Sequence, residues 1–157
     1  MHRGLARYIA VWLFSALSFP AFAATVNHTL YITAGTLSIN GTGGTTLAVW
    51  SYSDAAGSAK VPGPILNANE GDTVNITVVN NHNIPHNFVV QGVTSDTTSI
   101  APGTSRNYSF VAPAPGTFVY HDTLNGSVNR AMGMYGMLWV GPAGGGNTAW
   151  TGGPAYT

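Results

Sequence analysis

Residues 61–81 read VPGPILNANEGDTVNITVVNN, and within them Thr73-Val74-Asn75-Ile76-Thr77-Val78 decides the architecture. Val74, Ile76 and Val78 fall on one face of an extended chain, and Thr73, Asn75 and Thr77 fall on the other. That period of two is what a strand with one buried face requires. Outward from this segment, the same pattern recurs. Val26, His28, Leu30 and Ile32 alternate with Asn27, Thr29, Tyr31 and Thr33. The run Thr45 to Tyr52 is less clean, so both of its faces are expected to be partly covered. A short strand near Ile65, then His86 to Gln91, Ser105 to Val111, Thr117 to His121 and Tyr135 to Val140, bring the expected total to about eight. Pro62, Pro64, Gly71, Pro102, Gly103, Pro113, Pro115 and Gly116 lie between them, where turns need a fixed or positive φ. The pattern predicts an all-β sandwich.

At 157 residues the chain accommodates one domain and a short leader. Charged residues make up 6 % and hydrophobic residues 45 %, which suits short strands around a real core. Residues 1–24, MHRGLARYIAVWLFSALSFPAFAA, set Arg3 and Arg7 ahead of an apolar run and end in a small-residue cleavage pattern, so they are expected to be a secretory signal peptide. The run is too short for a membrane span and is broken by Ser15, Ser18 and Pro20. The mature protein is expected in the periplasm or medium, with no membrane partner. Beyond the leader, Lys60, Arg106 and Arg130 face five acidic residues, a balance that offers no basic patch for nucleic acid. The chain contains no cysteine, hence no disulfide and no thiolate ligand. Residues 142–157 are Gly-rich without alternation and read as a tail or linker after a domain spanning 25–141.

Two motifs carry chemistry. Ile84-Pro85-His86-Asn87-Phe88 opens a strand with a histidine that can present a ring nitrogen to a metal, and with an asparagine that can tie the site to a neighbouring loop. Gly116-Thr117-Phe118-Val119-Tyr120-His121-Asp122 ends a strand in potential ligands, and Gly133-Met134-Tyr135-Gly136 places a thioether just before the last strand. Neighbouring strand residues point to opposite faces, so Asp122 and His121 cannot both face His86. His28 and His82 read as surface histidines, Met137, Trp50 and Trp139 as core, and Met132 as open. No Ser-His-Asp spacing or phosphate-cradling glycine motif occurs.

Taken in order, VPGPILNANEGDTVNITVVNN, PHNF, GTFVYHD and GMYGMLWV resemble the plastocyanin-like, amino-terminal cupredoxin domain of multicopper oxidases and copper nitrite reductases. The resemblance covers roughly Leu47 to Val140. It implies a Greek-key cupredoxin sandwich and a blue, type 1, copper held by two histidines, a cysteine and a methionine. Residue by residue, His86 matches the first ligand and Met134 the last. Asp122 stands in place of the cysteine, and Asn129 is nearest the place of the second histidine. His121 matches a ligand to a copper shared between domains or subunits, whereas Gln91 stands where its usual partner histidine would be. The expected metal residues are therefore His86, His121, Asp122 and Met134, with copper as cofactor and further cupredoxin domains or a homo-oligomer as partners. The expected function is a copper-binding domain with a degenerate type 1 site in an oxidoreductase, incomplete as a catalyst alone. A stand-alone copper-delivery protein and a metal-free interaction domain are the alternatives.

Overall fold

The computed structural model describes residues 23–41 and 43–156, and most of the expected signal peptide lies outside them. Eight strands form two four-stranded sheets, with β1 Thr25–Ser38, β2 Thr46–Ser53, β3 Ile65–Asn69, β4 Thr73–Asn80, β5 Val89–Val90, β6 Ser105–Val111, β7 Gly116–His121 and β8 Tyr135–Gly141. One sheet runs β2-β1-β4-β6 and the other β3-β8-β7-β5. Strand β1 lies parallel to β4 and β3 parallel to β8, and the other pairings are antiparallel. No helix among the described residues is long and apolar enough to cross a membrane.

The alternation read from Val74, Ile76 and Val78 holds, since all three side chains are fully buried while their neighbours are half-exposed. They meet Leu30 and Ile32 of β1 and, from the facing sheet, Tyr120 and Leu138 in one core cluster. Tyr52, Phe88 and Tyr120 pack edge-on or tilted with centroids 5.3 to 5.7 Å apart, arrangements aromatic quadrupoles favour. Strand β2 is exposed through Thr46, Leu47 and Ala48 and covered on both faces from Val49 onward, where the Trp50 N–H donates to the Met132 carbonyl at 3.0 Å.

Two expected core residues turn outward. Gly136, Leu138 and Val140 take the inner face of β8, so the period of two forces Tyr135, Met137 and Trp139 onto the outer one, and Trp139 is 46 % exposed. The amino-terminal end is held firmly. The Ala24 N–H donates to Asp72 Oδ1 at 2.8 Å, the Asn69 N–H donates to Asp72 Oδ2 at 2.8 Å, and the Asp72 carboxylate is buried. The Gly-rich tail is also tethered. Thr148 bridges Ala155, the Tyr156 N–H donates to the Asn147 carbonyl, and the Thr151 hydroxyl donates to Glu70.

Candidate metal centre

Asn80, the buried last residue of β4, organises the first loop. Its Nδ2 donates to the carbonyls of Ile84 and Ile100, both at 2.9 Å, and its Oδ1 accepts the His82 N–H at 3.0 Å. This side-chain turn directs His82 back towards the sandwich. Past Pro85, His86 exchanges backbone hydrogen bonds with Ile100 at 3.2 and 2.6 Å instead of pairing with β7, so the strand expected from His86 shrinks to Val89–Val90. Asn87 makes the loop tie its position suggested. Its Nδ2 donates to Thr97 O and Thr123 Oγ1, and its Oδ1 accepts the Thr123 N–H at 2.8 Å.

The His86 imidazole is fully buried, with Nδ1 2.6 Å from Asp122 Oδ2 and Nε2 2.8 Å from His82 Nδ1. Asp122 is equally buried. Its Oδ1 accepts the Leu124 N–H at 2.7 Å, and its Oδ2 also accepts Asn129 Nδ2 at 2.9 Å. An ionised carboxylate only accepts, so His86 Nδ1 carries a proton and donates; His86 Nε2 then accepts from the protonated Nδ1 of His82. One proton arrangement with both rings neutral satisfies every contact. Burial first, and then the neighbouring His86 ring, lower the His82 pKa, a direction that favours the neutral form. The two rings are inclined by 25° with centroids 5.1 Å apart, so they meet edge to edge along the N···N line. The Trp50 ring covers them, 5.0 Å from His82 and 6.0 Å from His86.

Of the four residues named from the sequence, His86 and Asp122 come together. Met134 is fully buried in the core cluster beside them in the chain path, and its carbonyl accepts the Asp122 N–H at 3.1 Å. His121 lies on the other face of β7, paired with Val89 and Tyr135. Its Nδ1 donates to the Asp122 carbonyl at 3.1 Å, which leaves the lone pair on Nε2. Of the two other members, the motif spacing reaches Asn129 but not His82. Asn129 sits on a four-residue helix, α1 Val128–Ala131, that delivers its amide to Asp122. His82 was read as a surface histidine. The signal that could have found it is Asn80-x-His82 followed by His86, a turn-forming asparagine that fixes a histidine four residues before another. His28, the other presumed surface histidine, donates to the Asn67 carbonyl at 3.1 Å and so links the two sheets.

Residues 35–144 match the multicopper oxidase family. The chain belongs to the multicopper oxidase family. Among curated relatives, it is 37 % identical over 90 residues to a copper-containing nitrite reductase of Neisseria meningitidis, covering 52 % of this chain and 23 % of the relative. It is 34 % identical over 98 residues to an L-ascorbate oxidase of Cucurbita maxima, covering 54 % and 17 %. Among solved structures, a copper nitrite reductase from Nitrosomonas europaea superposes with a TM-score of 0.65 at 32 % identity, over 74 % of this chain and 41 % of that one. A multicopper oxidase crystal structure does so with 0.69 at 30 % identity, over 82 % and 46 %. The match thus extends over only 23 % of the nitrite reductase and 17 % of the ascorbate oxidase. Likeness of this kind fixes a cupredoxin sandwich.

The type 1 copper that this multicopper oxidase resemblance implies does not fit the residues present. There is no cysteine to supply a thiolate, and an amide, Asn129, occupies the loop position. Two ligands of one tetrahedral metal stand roughly 3.3 Å apart, given metal–ligand bonds of about 2.0 to 2.2 Å. His86 Nδ1 and Asp122 Oδ2, at 2.6 Å, are at hydrogen-bonding distance instead. Among the described residues, no three His, Asp or Glu side chains gather as a metal would need.

Proposed function

We propose that this chain is an exported, copper-binding domain of multicopper-oxidase type within a larger oxidoreductase assembly, with a degenerate type 1 position and with His121 as its contribution to a copper shared with another cupredoxin domain or subunit. The observation that carries the reading is the state of His121. Its Nδ1 is committed to a backbone carbonyl, its Nε2 lone pair is available, and it lies on the outer face of its sheet. Around it, that face is apolar and solvent-exposed. Ile65, Met137 and Val119 align across β3, β8 and β7, with Tyr135 and Trp139 on either side along β8. A face of this kind suits burial against a second domain, which would bring the remaining imidazoles, since one histidine alone is a weak copper site.

Calorimetric Cu(II) titration of the purified protein, at concentrations above and below self-association, tests this. The wild type should bind copper in its associated form, with weak visible absorption because no thiolate donates charge. His121→Ala should lose about tenfold or more in affinity, whereas His82→Ala should retain it. If wild-type protein binds no copper in any oligomeric form, the copper reading falls and a metal-free interaction domain replaces it.

A further inference from the structure

Three stretches of chain converge on Asp122. His82 and His86 come from the loop after β4, Leu124 from the loop after β7, and Asn129 from α1. His86 and Asp122 are 0 % exposed and Asn129 is 1 % exposed. Among the described residues, none of their side-chain nitrogen or oxygen atoms lacks a partner. Buried polar groups are costly unless fully paired, and here the pairing closes without any further atom.

The residue types are mutually dependent. Asp122 Oδ2 takes two donors, His86 Nδ1–H and the Asn129 amide; a thiol at 122 could not accept both in the same way, and a neutral histidine at 129 has only one N–H to offer. The second nitrogen of His86, which would otherwise be a buried acceptor, is met by His82, held there by the Asn80 turn. We infer that the His82–His86–Asp122–Asn129 chain is a metal-independent tie that occupies the place of the type 1 copper, so that this end of the sandwich is ordered without metal and takes none up. The inference stands apart from whether His121 binds copper. Two inter-strand connections that a metal would cross-link, β4–β5 and β7–β8, are joined by hydrogen bonds to one buried carboxylate.

Nitrogen-15 NMR of the histidine rings in metal-free protein, before and after anaerobic addition of Cu(I) as a diamagnetic probe, tests the tie. The expected result is a slowly exchanging Nδ1 proton on His86 and an unprotonated Nε2, both unchanged by Cu(I). Loss of that proton with a shift of the His86 nitrogens on adding Cu(I) would overturn the inference, whatever happens at His121. Unchanged signals at both His86 and His121 would keep the tie and remove the copper reading. A second measurement uses thermal unfolding of metal-free protein. Asp122→Asn keeps the shape but turns one acceptor oxygen into a donor that must face either the Leu124 N–H or the His86 and Asn129 donors. Its midpoint should fall by several degrees, and by more than that of His82→Ala. A midpoint equal to wild type would contradict the tie; if Asp122→Asn does not fold, the wild-type spectra decide alone.

Discussion

Asp122 is the residue on which the chemistry of this domain turns. A carboxylate accepts hydrogen bonds and gives a neighbouring imidazole a reason to stay protonated at Nδ1, whereas a thiolate would compete for a soft metal. Restoring the lost donors together should reverse that balance. Asp122→Cys combined with Asn129→His is expected to give a Cu(II) complex with an intense visible thiolate band, read by absorption spectroscopy, while the wild-type complex stays nearly colourless. A colourless double variant that binds Cu(II) would show that the loop geometry, and not the donor types, excludes a type 1 centre. At this scale the sequence was informative where a residue type is the argument. The absence of cysteine and the places of His86, Asn129 and Asp122 could be read directly. His82 could not, because what points it inward is the side-chain amide of Asn80, a contact made by a turn and not by any periodicity.

Among the elements, alternation told most of the story. Segments such as Thr73 to Val78, with β-branched residues at every second position, formed strands with the expected face buried. Trp139 and Met137, expected in the core, lie outside because Leu138 and Val140 claim the inner face of β8 and parity leaves their neighbours on the outer one. The four-residue helix carrying Asn129 is far shorter than a helix that could form from its own propensity, so tertiary contacts create it and sequence gives no warning. Gly136 is the tightest point of β8. A Cβ there would run into the Tyr120 ring, whose hydroxyl donates to the Pro64 carbonyl at 2.6 Å and cannot easily retreat. Gly136→Ala should cost about 1 to 3 kcal/mol, as overpacked cores do, measurable as a lower urea midpoint with an unchanged slope. No change in midpoint would mean that the Tyr120 ring shifts freely and that the two sheets are less firmly keyed than the packing indicates.

As a whole, the molecule is a sandwich with one apolar outer face, one metal-independent end and a first strand whose terminus is fixed where the Ala24 N–H meets the Asp72 carboxylate. The expected processing of the leader falls beside that fixed terminus. Intact-mass measurement of the exported protein should give a chain beginning at Ala24 or Thr25, and a product that keeps residues 1–23 would refute export by this route. The contact between the Ala24 N–H and the buried Asp72 carboxylate then acquires a second meaning. Cleavage after Ala23 would replace a neutral amide with an ammonium at the same 2.8 Å from a carboxylate shielded from water, so that the cut itself creates a charge pair. Such a pair is worth about 1.5 to 3 kcal/mol as a hydrogen bond to a charged group. Acetylating the new terminus should remove part of that gain and lower the thermal midpoint. The sandwich would in that case register its own maturation, becoming more firmly closed at the moment the leader is lost.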